Sequence, residues 1–294
     1  MLKSLTMRSF PSEMPWQECL RESRSSGFGG VEVNFDGVFP LDCPTRLLSE
    51  IKKTATQCDI EITSVYSRLQ WLSPISSPDL NKREEGLRVI RRLLDIAEKL
   101  EASTVLTIPG AVDNSLITKD SEIVPYDEVY DRVLEGLTDL SETARRRGVV
   151  LALENVANKF LLSPLEMRDL IDKTGSPFVG CHFDVANCLY CGGYPEQWIN
   201  ILGKRIKVIH LKDFKLAAGN LTGFTNIFEG DVDWKQVCNA LAKTGYDGPL
   251  ISEVLPAYKH HPEILWKNAS QAMDRIVEDI QRLHAKARKT GGTS

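Results

Sequence analysis

Four short apolar segments of this sequence end in polar side chains, and this recurrence constrains the fold more than any other feature. Largely uninterrupted apolar runs of this length are typical of parallel strands that helices cover on both faces. The carboxyl ends of parallel strands emerge at one edge of a sheet, so we expect the four polar side chains at the same rim. The segments are VVLALEN, VGCHFD, RIKVIHL and PLISEV, which place Glu154, Asp184, His210 and Glu253 at or near their ends.

Helical patterns separate the strand candidates along the chain. Residues 82–100 carry apolar side chains at three- and four-residue spacing, a period that buries one face of a helix. Ser163 and Glu166 have the spacing of a capping box, in which the two side chains satisfy backbone donors at the start of a helix. Strands and helices therefore alternate.

Eight strand candidates alternate with helices over about 290 residues, which is the pattern and length of a (β/α)8 barrel. An open doubly wound sheet uses similar elements, but the first strand is not followed by G-x-G-x-x-G, and the chain has no G-x-x-x-x-G-K-[ST]. We therefore predict an α/β fold, a single-domain (β/α)8 TIM barrel over residues 1–287, with a polar C-terminal tail over residues 288–294. The strand candidates are KSLTMRSF, GGVEVNF, DIEITSVY, STVLTIP and the four segments above.

The composition of the chain argues against nucleic acids and membranes as binding partners. The formal charge of −4 and the isoelectric point near 5.8 give no electrostatic signature of a nucleic-acid or anionic-membrane binder. No apolar run approaches the roughly 18 residues of a membrane span, and MLKSLTMRSF lacks the apolar centre of a signal peptide. The seven cysteines are scattered and do not resemble a disulfide framework. These features predict a cytoplasmic protein.

The four strand-end side chains form a candidate metal site. Any one of them alone is better explained as a structural hydrogen-bonding group than as a metal ligand. Three carboxylates and a histidine at the ends of buried strands, however, concentrate negative charge where its burial is costly, and a divalent cation compensates that cost. A set of three oxygen ligands and one nitrogen ligand suits one divalent ion, with Mn²⁺ favoured and Mg²⁺, Co²⁺ or Zn²⁺ as alternatives.

Other residues near the strand ends are candidate substrate contacts. His182 lies two residues before Asp184, on the same side of the strand, and is either a substrate donor, a partner of a ligand or a packed core histidine. Glu32 in the second strand contacts the substrate or pairs with a buried basic group. Tyr66 and Trp71 either form an apolar wall for a sugar or cover the barrel top.

Lysines and loops after the last two strands are candidates for holding the far end of a substrate. Lys212, Lys215 and Lys259 either neutralise a phosphate or remain solvated. Barrel enzymes often hold a phosphate with the loops after the seventh and eighth strands. We expect residues 215–229, a Gly- and Asn-containing loop predicted to be mobile, and residues 256–262 to cover the substrate and set specificity.

Several motifs together resemble the xylose isomerase-like TIM barrel superfamily, and within it the sugar-phosphate isomerase/epimerase branch, which includes tagatose 3-epimerase and L-xylulose-5-phosphate 3-epimerase. The resemblance extends from about residue 3 to residue 285. It implies that Glu154, Asp184, His210 and Glu253 bind the metal, and that the two glutamates also act as acid and base. The motifs are GFGGVEVNF, ALENV, HFDVAN, RIKVIHLKDF, FEGDVDW and GYDGPLISEV.

The sequence departs from that branch at Asn187, where the tagatose 3-epimerase-like members carry a histidine that contacts the substrate. Asn187 is accordingly a candidate substrate contact, and the departure counts against a free-ketose 3-epimerase. The same barrel also hosts inosose dehydratases, hydroxypyruvate isomerases and trinuclear-zinc endonucleases. The endonucleases need several histidines on early strands, and residues 1–181 contain none.

The function implied by the resemblance is metal-dependent chemistry on a sugar, a sugar phosphate or a cyclitol. Removal of the proton next to a carbonyl gives an enediolate, and its reprotonation on the opposite face gives epimerisation, the favoured outcome. Reprotonation on the neighbouring carbon gives isomerisation, and loss of a β-hydroxyl gives an inosose-type dehydratase. A non-catalytic sugar-binding barrel that serves as a subunit is the alternative from another class, and a homo-oligomer stays open.

Overall fold

Eight parallel strands close into a barrel in the order in which they occur along the chain. The computed structural model describes residues 1–119 and 121–290, with side chains described through residue 286. The first strand pairs with the eighth, where Ser4 lies opposite Ile251, and this pairing closes the ring. The predicted TIM barrel fold is therefore confirmed. The barrel strands, named first to eighth below, are Lys3–Thr6, Gly30–Asn34, Glu61–Tyr66, Thr104–Thr107, Val150–Glu154, Val179–Asp184, Ile206–Leu211 and Leu250–Ser252.

Helices cover the outside of the barrel and bury apolar stripes against it. In the helix Leu80–Leu100, Leu93 and Leu94 are fully buried, as the three- and four-residue spacing predicts. The long helices are Trp16–Ser25, Thr45–Gln57, Leu80–Leu100, Tyr126–Arg147, Pro164–Lys173, Pro195–Leu202, Trp234–Thr244 and Glu263–Thr290. Shorter helical segments are Met7–Ser9, Leu69–Leu72, Val185–Tyr190, Gly203–Arg205, Leu216–Ala218 and Leu221–Gly223.

The capping box predicted from the sequence is present at the start of the helix Pro164–Lys173. The backbone N–H of Glu166 donates to Ser163 Oγ at 3.3 Å, and the backbone N–H of Ser163 donates to Glu166 Oε2 at 3.0 Å. Tyr126 adds a third contact by donating its hydroxyl to Glu166 Oε1 at 2.9 Å. This cap fixes the point at which the chain turns back after the fifth strand.

A short antiparallel hairpin, Asp213–Phe214 with Phe224–Thr225, follows the seventh strand. The Asp213 carboxylate is fully buried and accepts hydrogen bonds from the backbone N–H groups of Phe214, Phe228 and Val232 and from Trp234 Nε1. The loop over residues 215–229, expected to be mobile, is thus tied to the end of the barrel strand by one carboxylate. Sequence reasoning missed this anchor because its partners lie up to 21 residues away.

The last helix runs to Thr290 and includes residues 288–290 of the predicted tail. The remainder of that tail, residues 291–294, lies outside the described residues. In the described part of the chain, no helix combines the length and the apolar character needed to cross a membrane.

Candidate metal site at the carboxyl rim of the barrel

The register of the barrel brings the four strand-end side chains to one rim. Asp184 and His210 are direct neighbours across the sixth and seventh strands. Glu154 ends the fifth strand, and Glu253 directly follows the eighth, where its backbone N–H donates to the Leu211 carbonyl at 3.1 Å. Four consecutive strands thus deliver one side chain each.

These side chains surround a single point. His210 Nδ1 lies 3.2 Å from Glu154 Oε1, 3.5 Å from Glu253 Oε2 and 3.6 Å from Asp184 Oδ2. One ligand atom from each of the four residues lies within 4.8 Å of the other three, and all four residues are buried. Ligand atoms that share one divalent ion at about 2.0–2.3 Å are separated by up to about 4.6 Å. The residues present therefore fit one divalent ion.

Burial and mutual attraction shift the pKa values of this cluster. Burial raises the pKa of the Glu154 carboxyl to about 7, against the lowering effect of its hydrogen bond with His210. Burial by itself lowers the pKa of the His210 imidazole, but the carboxylates of Glu32 and Glu253 outweigh it, and that pKa lies well above its ordinary value. In the absence of a metal ion, a protonated His210 supplies part of the positive charge that holds the carboxylates together.

Two cations hold Glu253 and extend the cluster. Lys212 Nζ lies 2.7 Å from Asp184 Oδ2 and also contacts Glu253 Oε2, and its side chain is largely buried. Arg8 Nη1 lies 3.0 Å from Glu253 Oε1. Burial by itself raises the pKa of the Glu253 carboxyl, but the charges of Lys212, His210 and Arg8 lower it to about 2. The pKa values of the Glu253 and Glu154 carboxyl groups are thus shifted in opposite directions.

Lys212 was predicted as a substrate or phosphate contact, and the structure places it among the metal-ligand candidates. Lys215 and Lys259, grouped with it in the sequence, are exposed. Arg8 was missed because it follows the first strand, and only the pairing of the first strand with the eighth brings it to Glu253. Its guanidinium also lies over the Tyr66 ring, 5.7 Å from the ring centroid.

A second layer of polar side chains adjoins His210 inside the barrel. Glu32 Oε1 lies 3.4 Å from His210 Nε2, which agrees with the alternative that Glu32 pairs with a buried basic group. The His182 ring stands edge-on against the His210 ring, with centroids 4.1 Å apart. In the described part of the chain neither His182 nitrogen has a hydrogen-bond partner, and burial lowers the pKa of its imidazole well below the ordinary value. His182 is therefore a neutral, fully buried ring in contact with a ligand candidate.

Two asparagines hold Asp184 in place. Asn155 accepts a hydrogen bond from the Asp184 N–H through Oδ1 and donates one to the Asp184 carbonyl through Nδ2, each at 2.8 Å. The backbone N–H of Asn187 donates to Asp184 Oδ1 at 2.7 Å, and its Nδ2 donates to the Asn155 carbonyl at 3.0 Å. The Asn187 amide, a predicted substrate contact, is thus engaged with the protein. Asn155 carried no sequence signal beyond its position after Glu154.

An apolar patch borders the cluster on the side of the third to fifth strands. Both predicted wall residues belong to it, and both are largely buried, with 5% of Tyr66 and 8% of Trp71 exposed. Trp71 lies in the short helix Leu69–Leu72. The patch consists of Tyr66, Trp71, Leu106, Ile108 and Val156.

Comparison with known proteins places this geometry in context. A family model described as xylose isomerase-like TIM barrel matches residues 20–276. The inosose dehydratase of Geobacillus thermodenitrificans is 24% identical over 271 residues, with 84% of each chain covered. The structure of an L-ribulose 3-epimerase aligns with a TM-score of 0.78 at 19% identity, covering 98% of this chain and 97% of that one. The probable 3-DHS dehydratase of Bacillus anthracis aligns with a TM-score of 0.70 at 17% identity, covering 93% and 99%. At these identities the two structures show a shared fold.

Proposed function

Because this chain belongs to the xylose isomerase-like TIM barrel family, we propose that it is a divalent-metal-dependent enzyme that removes the proton next to the carbonyl of a polyhydroxylated ketone. The observation that carries the proposal is the convergence of Glu154, Asp184, His210 and Glu253 on one buried point. Burial of so much negative charge is costly, and a bound divalent cation would compensate it. A non-catalytic barrel would not require the complete set.

The four residues would hold the ion, and Mn²⁺ is the favoured metal because the set contains three oxygen ligands and one nitrogen ligand. When bound, a divalent ion polarises a neighbouring carbonyl and acidifies the C–H bond on the adjacent carbon. Glu154 is the proposed base. Among the described residues it forms an ion pair only with His210, so its carboxylate is not neutralised by a lysine or an arginine.

The positions of Arg8 and Lys212 favour dehydration over epimerisation. Glu253 is neutralised on one oxygen by Arg8 and on the other by Lys212, which makes it a weak proton acceptor. The Lys212 ammonium, which contacts Asp184 and Glu253, is the proposed proton donor. In the proposed reaction Glu154 takes the proton next to the carbonyl, the C–O bond on the following carbon breaks, and Lys212 protonates the departing hydroxyl, which leaves as water. The relation to an inosose dehydratase supports this assignment.

Epimerisation, which the sequence favoured, is the second candidate. It needs one base on each face of the reacting carbon. Glu154 ends the fifth strand and Glu253 directly follows the eighth, with two ligand-bearing strands between them. For this reaction Glu253 would have to exchange a proton with the substrate despite its two cationic partners. The two reactions therefore differ in what they require of Glu253.

The charges of the site favour an uncharged substrate. Glu32, Glu154, Asp184 and Glu253 carry four negative charges, whereas Lys212 and Arg8 carry two positive charges. A divalent ion with a neutral His210 brings the sum to zero. A cyclitol or sugar without a phosphate adds no charge to such a site.

The decisive experiment is NMR in D₂O with the Mn²⁺ form exchanged for diamagnetic Mg²⁺ or Zn²⁺, using a panel of inososes and ketoses. Dehydration removes a CHOH signal and produces an unsaturated or deoxygenated carbonyl product. Epimerisation produces a second ketose that carries deuterium at the inverted carbon. If a metal-loaded protein exchanges no proton in any member of the panel, including phosphorylated ketoses, the proposed chemistry is wrong.

A further inference from the structure

The His210 ring has carboxylates at both of its nitrogens. Nδ1 faces Glu154, Asp184 and Glu253 at 3.2–3.6 Å. Nε2 points the other way, toward Glu32 Oε1 at 3.4 Å. The imidazole therefore stands between the candidate metal site and a carboxylate on the second strand that is not one of the four ligand candidates.

Inside the barrel, the Glu32 carboxylate is the polar group that faces His210 Nε2. The side chains are 2% and 0% exposed, so solvent does not satisfy them. Among the described residues, Glu32 makes no ion pair with a lysine or an arginine, and neither its Oε2 nor His210 Nε2 forms a hydrogen bond. A buried carboxylate without a partner costs several kcal/mol. The 3.4 Å contact is about 0.2 Å longer than a good N–H···O hydrogen bond. A small movement of either side chain would therefore form a hydrogen bond that offsets the cost of burial.

We infer that Glu32 is a positioning residue that keeps the proton of His210 on Nε2 and thereby presents the Nδ1 lone pair to the metal. A neutral imidazole carries one N–H, and the tautomer is set by the group that accepts from it. A carboxylate in this place also makes the ligand nitrogen more basic and fixes the plane of the ring. This inference rests on the proposed metal site, and it adds a fourth carboxylate, from the second strand, to the residues around that site.

His182 does not perform this task. Its ring packs edge-on against His210 with centroids 4.1 Å apart, and neither of its nitrogens accepts a hydrogen bond from His210. It restricts the rotation of the His210 ring by contact. Glu32 alone, among the groups in ion-pair range of Nε2 in the described residues, offers an acceptor.

A second metal ion is the competing explanation for the same atoms. Ligand atoms of Glu32, His182 and His210 also lie within 4.8 Å of one another. Two ions that shared His210 would require both ring nitrogens to be deprotonated, which a neutral imidazole does not allow. One ion on Nδ1 and one proton on Nε2 satisfy both sides of the ring.

The test measures Mn²⁺ affinity without reference to turnover, by following free Mn²⁺ with EPR in the full-length wild type and in Glu32→Gln. The substitution keeps the shape of the side chain and removes its charge, so we expect Kd to rise by about 10–100-fold. Asp113→Asn is the matched control, because Asp113 is another buried carboxylate and pairs with Lys159 at 2.7 Å, away from His210. Its Kd is expected to equal that of the wild type.

The tautomer gives an independent readout. In protein labelled with ¹⁵N-histidine and loaded with Zn²⁺, the His210 ring of the wild type should show a protonated Nε2 and a metal-bound Nδ1. A folded Glu32→Gln variant with unchanged Kd, or a wild-type ring protonated on Nδ1, overturns the inference. So does a stoichiometry of two ions per chain.

A second variant and the wild-type measurement cover the cases in which Glu32→Gln gives no clear answer. If Glu32→Gln does not fold, Glu32→Asp replaces it, since the shorter side chain keeps the charge but withdraws it from Nε2. An unchanged Kd in that variant also overturns the inference, and a raised Kd supports it. Failure of the wild type to bind Mn²⁺, by contrast, removes the proposed metal site itself, so the two ideas fail in distinguishable ways.

Discussion

The Lys212 ammonium lies 2.7 Å from Asp184 Oδ2, the same oxygen that faces His210 Nδ1 at 3.6 Å. A lysine therefore shares a carboxylate oxygen with the site at which a divalent ion is proposed to bind. Because both are positively charged, Lys212 and the ion oppose each other electrostatically while both neutralise the same carboxylate.

This relationship predicts that Lys212→Met binds Mn²⁺ more tightly than the wild type, by about tenfold or more, because one buried positive charge is removed. The same variant should lose most of its dehydration activity, since its proposed proton donor is gone. Titration with Mn²⁺ followed by EPR measures the first effect. Lys215→Met, which removes an exposed lysine three residues later, is the control. Weaker binding by Lys212→Met would show that the lysine supports the ion.

Glu154 and Glu253 should respond differently to removal of their charge. Glu154→Gln keeps an oxygen near the metal but removes the base, so deuterium exchange next to the carbonyl should fall by about 10²-fold or more. Glu253→Gln should retain exchange more than Glu154→Gln if dehydration is the reaction. Equal losses in both variants favour epimerisation. The metal content of each variant must be measured, since a vacant site also abolishes exchange.

Lys215 and Lys259 test the phosphate alternative. Both are exposed and lie on the loops after the seventh and eighth strands, which often hold a phosphate in this fold. Their joint replacement by Met should raise KM for a phosphorylated ketose and leave metal binding intact, because uniform binding is lost and chemistry is retained. The charge balance of the site leads us to expect an uncharged substrate, for which KM should not change.

The capping box offers a prediction on stability alone. Ser163→Ala removes one cap hydrogen bond and should lower the free energy of unfolding by about 1 kcal/mol. Glu166→Ala should cost more, because Glu166 also accepts from the Tyr126 hydroxyl. Urea denaturation measures both. Neither variant should change the Mn²⁺ affinity, and a change would show that this helix supports the metal site.

Local patterns were sufficient for the elements and for the four ligand candidates. An apolar run followed by Glu154 or Asp184 is readable within a few residues, because strand burial and strand ends are properties of short segments. The cap at Ser163 is likewise complete within four residues. The positions that were missed or misjudged, Asn155, Arg8 and the anchoring carboxylate of Asp213, depend on partners whose place only the folded chain defines.

The sequence by itself therefore determined the barrel fold and the acidic side chains at its carboxyl rim. Apolar periodicity and side-chain chemistry can both be recognised within short segments. Only the tertiary structure decided which charged side chains lie next to one another. Closure of the barrel brings Arg8 to Glu253 across 245 residues of sequence, and the inward alternation of the second and seventh strands brings Glu32 to His210. Coulomb energy depends on distance in space and on burial, and neither quantity is contained in a short stretch of sequence. For that reason the different ionic partners of Glu154 and Glu253 emerged only from the fold.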